Sequence, residues 1–282
     1  MAFKKGVEKS FRFISSGFSS PYMNMALDEA IFQSFSPGVS RPTIRIYGWR
    51  PFGFSFGFPQ NISDILNVEK CKKNNIPFVR RITGGGVIYH KNDISYSLIC
   101  SKSDLDIEGG ILDSYKVINS FLIRFYKNLG LDAKFSGYKD SESSDGLCCK
   151  AKEVYDVILR GYKIGGSAQR RRKEVILQHG SIPLQGEFDS INDFFISNSE
   201  GEDKCFISLN EALGRKIDYP EAKELLIRSF KESFDVSLEE SSPTDNEKIL
   251  ASYLVENKYL TPIWNMEKKD NAKYFKAPFM AK

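Results

Sequence analysis

The apolar period of this chain drops from four to two immediately after its first helical segment. Met23, Leu27, Ile31 and Phe35 recur every four residues behind a Ser20-Pro21 pair. That spacing predicts an amphipathic helix with a serine cap and a first-turn proline. From Thr43 the period is two, through Thr43-Ile44-Arg45-Ile46-Tyr47 and again through Phe54-Ser55-Phe56-Gly57-Phe58, with Pro51 and Gly53 between them. Alternation of this kind predicts two strands, expected in one sheet. A chain that moves irregularly between these two periods is neither a helical bundle nor a regular strand-helix alternation.

The remaining elements extend the same pattern. Ser63 and Asp64 can cap a helix running to Asn74 and Asn75, and Phe78-Val79-Arg80-Arg81 reads as a strand leading into three glycines. Val87 to Tyr89 and Ile94 to Cys100 continue as strands. Tyr115, Ile118, Leu122, Phe125, Tyr126 and Leu129 form a helical stripe over about Ile111 to Leu129, and Gly130 stops it. Ser136 to Gly146 is polar, lacks an apolar period, and reads as a surface loop that leads to Cys148-Cys149. Val154 to Leu159, Tyr162 to Ile164 and Val175 to Leu177 look like strands, and Pro220 to Phe234 and Asp245 to Glu256 like helices. The fold class expected is α+β. Polar residues gather around Gln185 to Asp203, which suggests a core over 1–202, with its motifs in about 40–185, and a helical C-terminal portion over 203–282.

Composition narrows the function. The 282 residues are 41% hydrophobic and 27% charged, enough for a buried core and unlike a disordered chain. Forty basic and 36 acidic residues leave a net charge of +4, too mild to indicate a nucleic-acid binder. No stretch approaches the roughly 18 apolar residues of a membrane span, and no apolar segment follows the charged N-terminus, so a cytoplasmic location without membrane contact is expected. Two histidines, His90 and His179, rule out a three-histidine metal site, and the five cysteines lack CxxC spacing. No metal is expected, disulfides are not expected in a reducing compartment, and one thiol remains available for chemistry.

Three segments carry chemical potential. In Arg80 to His90, consecutive glycines let a ligand approach bare backbone N–H groups while arginines add positive charge; the alternative is a hairpin turn with two solvated arginines. In Gly161 to Gln169, Lys163 lies among small residues, where an ammonium could neutralise an anion or activate a thiol; the alternative is a hairpin with an exposed lysine. The following Arg170-Arg171-Arg172-Lys173 reads as a solvated turn. Cys148 stands at the end of the polar loop, fifteen positions before Lys163, and suits a nucleophile activated by a nearby cation. Gln178 and His179 could add polar groups to the same pocket.

Phe11 to Ile14 with Asn24-Met25-Ala26-Leu27-Asp28-Glu29-Ala30, Arg45-Ile46-Tyr47-Gly48-Trp49, Arg80 to Gly86 with His90, Ser95-Tyr96-Ser97, Lys163 with Gly166 to Gln169, Leu177 to Ser181, and the tail Glu256 to Tyr259 with Trp264-Asn265 form an ordered series. The series resembles the biotin/lipoate protein ligase superfamily and, within it, the LipM-type octanoyltransferases, over nearly the whole chain. The resemblance implies a mixed sheet around an acyl tunnel. It implies a Cys148 thioester formed from octanoyl acyl carrier protein and passed to a lysine of a lipoyl domain or of the glycine-cleavage H protein, with Lys163 as catalytic partner. Arg81, Thr83, Gly84, Gly85, Gly86, His90, Gly166, Ser167, Ala168, Gln178 and His179 are the substrate-binding residues it implies. No cofactor is then needed. Gly86, however, follows the ligase version of the loop, and Cys149 and Lys152-Glu153 replace the Phe and Pro-Ser common after the transferase cysteine. The alternative reading is an ATP-dependent lipoate ligase working through lipoyl-AMP, with ATP and Mg and with Lys163 on the phosphate. A non-catalytic acyl- or partner-binding module is the third.

Overall fold

The computed structural model describes residues 9–137, 154–186, 193–196 and 206–270. The chain opens with β1 (Lys9–Ser19) and enters α1 (Pro21–Ser34), where Ser20 caps the helix by accepting a bond from the Met23 N–H. It continues through β2 (Thr43–Trp49), β3 (Gly53–Phe56), α2 (Val68–Lys73), β4 (Phe78–Arg80), β5 (Ile88–His90) and β6 (Asp93–Ser101). The long helix α3 (Ile111–Asn128) precedes three short strands, β7 (Lys134–Phe135), β8 (Val157–Leu159) and β9 (Tyr162–Lys163). A hairpin of β10 (Gly166–Arg172) and β11 (Val175–Pro183) follows, then α4 (Leu209–Leu213), α5 (Tyr219–Phe234), β12 (Val236–Glu240), α6 (Asp245–Leu254) and α7 (Pro262–Glu267). Among the described residues no helix is long and apolar enough to cross a membrane.

Six strands form the central sheet in the order β10-β11-β6-β2-β1-β12. The β2, β6, β11 and β10 pairings are antiparallel, whereas β1 runs parallel to both β2 and β12. This is the mixed α+β architecture, with α3 and α5 on one face and α1 and α6 on the other. Strand alternation divides the two faces by chemistry. Ile44, Ile46, Tyr96, Leu98, Ile176 and Ile182 join Phe121 and Phe125 of α3 and Phe230 of α5 in one apolar cluster. The residues between them, Arg45 and Tyr47 on β2, Ser95 and Ser97 on β6, and His179 and Ser181 on β11, are buried on the α1 side.

The structure corrects four expectations. First, β2 and β3 lie in different sheets: β3 pairs parallel with β4 and antiparallel with β5 in a separate three-stranded sheet. Period two assigns faces but not sheet membership. The chain turns between them at Pro51, and Gly53 lies so close to the Pro77 carbonyl that a Cβ there would approach its oxygen to 2.4 Å. Second, the helix expected from Ser63 is reduced to α2, capped by Asn67, because Leu66 pairs its backbone with Phe195 and interrupts the helix. Third, the basic run is mostly strand: the solvated turn is confined to Lys173-Glu174. Arg170 to Arg172 belong to β10, and the Arg171 and Arg172 guanidinium groups donate to the Gly110 and Phe35 carbonyls at 3.2 and 2.9 Å. Fourth, the C-terminal portion is not wholly helical, since β12 forms the sheet edge beside β1.

That portion also enters the core. The Phe230 ring of α5 meets Phe11 of β1 at 5.5 Å and Phe121 of α3 at 5.4 Å, both edge to face. Phe230→Ala is expected to cost about 3–5 kcal/mol through the cavity it leaves. In denaturant unfolding, tryptophan fluorescence and far-ultraviolet circular dichroism should shift together. A separate early transition would instead mark 203–282 as an independent unit.

Candidate active site

The glycine loop folds around the arginine that precedes it. Arg81 donates through one Nη to the Ser55 hydroxyl at 2.7 Å and through the other to the Gly84 and Gly86 carbonyls at 3.1 and 2.8 Å. The loop is also joined to the turn after β3, where the Phe58 N–H donates to the Thr83 carbonyl at 2.7 Å. Gly57 is obligatory in that turn, because a Cβ there would sit 1.9 Å from the Gly85 oxygen. Gly85 itself has φ +93°, the left-handed region that favours glycine.

Each histidine is held between a carboxylate and a hydroxyl. His90 Nδ1 lies 2.8 Å from Asp93 Oδ2, and its Nε2 lies 2.7 Å from Ser55 Oγ. Arg81 can only donate to Ser55, so the Ser55 hydroxyl hydrogen points to His90 Nε2 and the ring proton resides on Nδ1. His179 repeats the arrangement, with Nδ1 3.2 Å from Asp28 Oδ2 and Nε2 2.6 Å from Thr83 Oγ1. Burial lowers both imidazoles below their ordinary value, against the opposing pull of Asp93 on His90 and of Asp28 on His179. Both are therefore neutral at neutral pH. Burial alone would raise the Asp28 carboxyl, but the Arg45 guanidinium at 2.6 Å, with His179 and Ser97, holds it below the usual range.

These groups surround a narrow, partly open cleft. Trp49 stacks on His90 at 3.7 Å and forms a ring wall with it, and the glycine loop and the start of β10 form the other walls. Arg81, Gly85, His90, Gly166, Ser167, Ala168 and His179 come together around the cleft. Thr83 reaches it through its bond to His179, while Gly84 and Gly86 contribute carbonyls to Arg81.

Two other residues lie elsewhere. Gln178 occupies the opposite face of β11 and donates to Asn119 of α3 at 2.7 Å and to the Tyr96 hydroxyl at 3.1 Å. Lys163 does not line the cleft; buried on β9, its Nζ is 2.7 Å from Asp156 Oδ2. Asp156 lines a second, smaller cavity beside α3, and Gly166, Ser167 and Ser181 border both spaces. Cys148 lies outside the described residues.

Ser55, Asp93 and Asp156 were not legible as site residues. Asp28 had a signal, because a carboxylate among Met25, Leu27 and Ile31 on a buried helix requires a partner.

Comparison with known proteins supplies the lineage. The family model described as lipoyl protein ligase A/B catalytic domain matches residues 20–231. The chain belongs to the lipoyl protein ligase A/B catalytic-domain family. Octanoyltransferase LipM of Anoxybacillus flavithermus is 37% identical to it over 92% of this chain and 98% of that protein. The enzyme of that name from Bacillus subtilis is 34% identical over 93% and 99%. Among solved structures, a lipoate-protein ligase A bound with ATP superposes with a TM-score of 0.77 at 26% identity, covering 91% of this chain and 98% of that one. A bi-partite lipoate protein ligase from Thermoplasma acidophilum, described together with its E2 lipoyl domain, gives 0.76 at 25% identity, covering 91% and 96%. Both of these solved structures are ligases.

The buried histidines of this family member make its stability depend on pH. A histidine whose folded pKa lies below its unfolded value binds protons more readily when unfolded. Stability is therefore full above the unfolded value of about 6.5 and declines as pH falls from there towards the folded value. Denaturation midpoints measured from pH 8 to 5 should show this decline, and replacing both His90 and His179 with Gln should flatten it. Gly57→Ala should lower the thermal midpoint by several degrees or more, about 1–3 kcal/mol, because the Gly85 carbonyl has to move.

Proposed function

We propose that this chain is an octanoyltransferase of lipoate biosynthesis, moving an octanoyl group from acyl carrier protein to a lysine of a lipoyl domain or of the glycine-cleavage H protein. The family and the near full-length likeness to LipM octanoyltransferases support the reaction class. The observation that carries the reading is how the cleft disposes of its polar groups. Both imidazoles are neutral, both are turned onto an aspartate and a hydroxyl, and Arg81 donates to Ser55 and the loop carbonyls. Met25, Ile88, Ala168, ring surface and glycine backbone border the space, and the serines and Arg81 that also line it have their polar groups bonded to neighbours, a lining that suits an apolar acyl chain.

In this reading Cys148 is the nucleophile. Its thiolate attacks the acyl carrier protein thioester, the carbon–sulfur bond to the carrier breaks, and the carrier thiolate leaves to be protonated. The acceptor lysine, as a free amine, then attacks the Cys148 thioester, forming the amide and returning the thiol. Lys163, held on Asp156 at the second cavity, supplies positive charge that favours the thiolate. Backbone N–H groups of the glycine loop or of the start of β10 stabilise the oxyanion, each worth on the order of 3 kcal/mol. His90 and His179 shape the cleft without carrying charge into it.

A second reading, an ATP-dependent lipoate ligase, draws on the likeness to a ligase bound with ATP and on the ligase-like Gly86. Intact mass spectrometry after mixing with octanoyl acyl carrier protein, without ATP, separates the two. The transferase acquires one hydroxylamine-labile octanoyl group, and Cys148→Ala does not. Acceptor modification that needs ATP and free lipoate, and persists in Cys148→Ala, would sink the transferase reading. Binding of acyl chains with turnover of neither substrate would point to the non-catalytic module.

A further inference from the structure

Arg80, one residue before the arginine that shapes the glycine loop, faces away from the cleft and is completely buried. Its guanidinium donates to four backbone carbonyls: Nε to Trp264 at 2.9 Å, one Nη to Phe58 and Gln60 at 2.7 and 2.6 Å, and the other Nη to Asn265 at 2.6 Å. The main chain of Arg80 is held by the same tail residues. Its N–H donates to Asn265 Oδ1 at 2.8 Å, and its carbonyl accepts from Trp264 Nε1 at 2.9 Å. The tail also touches the turn after β3 directly, through a Phe58–Trp264 ring contact at 5.8 Å and a bond from Lys268 to the Pro59 carbonyl at 2.7 Å.

Arg80 therefore joins α7 to the 57–60 turn, and that turn is joined to the glycine loop at Thr83 and pressed against Gly85. On the next residue Arg81 holds the loop from inside. Consecutive strand residues point in opposite directions, so the two arginines fix one backbone from both sides. Nothing in acyl transfer uses Arg80, yet a buried cation held by carbonyl dipoles is retained at the hinge of the loop, and losing any of those acceptors is costly.

We infer that Arg80, Trp264 and Asn265 are positioning residues: the C-terminal segment sets the place of the glycine loop, and hence the fit of the acyl group in the cleft. The kinetic consequence rests on the acyl-transfer reading; the structural consequence does not. Trp264→Phe removes one N–H donor while keeping a ring, and Asn265→Ala removes the cap on the Arg80 N–H, so both avoid unpairing the Arg80 charge itself. Hydrogen exchange followed by mass spectrometry, at a temperature where each variant is fully folded, should show amides 82–88 exchanging about tenfold faster, the equivalent of one lost net hydrogen bond. Exchange in β6 and β11 should stay at its wild-type rate. The KM for octanoyl acyl carrier protein should rise by about the same factor with a smaller change in kcat. Unchanged exchange at 82–88, or exchange that rises equally in β6 and β11, would overturn the inference. If the wild-type chain transfers no acyl group, the transferase reading fails by itself, and the exchange pattern still decides the clamp.

Discussion

The Asp28–Arg45 pair is the interaction on which the polar half of the molecule depends. A carboxylate from α1 and a guanidinium from β2 meet at 2.6 Å with both side chains buried. The Asp28 carboxylate also accepts from Ser97 at 2.6 Å, Tyr47 at 3.0 Å and His179 at 3.2 Å, so it collects three strands of the sheet onto one helix. Asn24, one turn earlier on α1, accepts from the other Arg45 Nη at 2.7 Å. Buried pairs of this kind contribute little net stability over an apolar replacement, but losing one partner typically costs about 3–5 kcal/mol. What the pair provides is orientation, because it determines which nitrogen of His179 carries the proton.

From that anchor the site is built twice over. Asp28–His179–Thr83 and Asp93–His90–Ser55 are parallel relays of carboxylate, imidazole and hydroxyl, and both end at the glycine loop, one on its own threonine and one on the hydroxyl that receives Arg81. Such an arrangement leaves the loop little freedom to shift. It also turns the polar atoms of a buried cavity inward on one another, which is how a pocket rich in His, Ser and Asp can still present an apolar lining.

Much of this was legible in the residues, and the parts that were not have physical reasons. Helices α1 and α3 are legible because each carries a period near four and a cap or stop signal, Ser20 and Gly130, while the Asp218 cap of α5 is evident only in the structure. The alternation in β2 and β6 was readable too, but not which sheet β3 would join, since pairing is a long-range choice. β1 and β12 are hard to read as strands because they close one end of the sheet, where alternation is diluted by polar residues, and β10 because its arginines imitate a solvated turn. At the site, glycines and histidines advertised themselves. Ser55 and Asp93 did not, since a serine or aspartate in a strand looks the same whether it faces solvent or an imidazole. Gln178 was placed beside His179 by sequence, yet period two sends neighbours to opposite faces of the sheet.

The parallel placement of β1 between β2 and β12 has a consequence for how the molecule is made. During synthesis β1 can pair on one side with β2 early, but its other edge stays open until Val236–Glu240 has been added. An uncovered strand edge during that interval is a template for pairing with another chain. The cleft itself waits longer, since the buried guanidinium of Arg80 has acceptors from both ends of its environment only after Asn265 emerges. Completion of the fold is thus late and governed by contacts of high sequence separation, and a slow folding step is expected from such a topology.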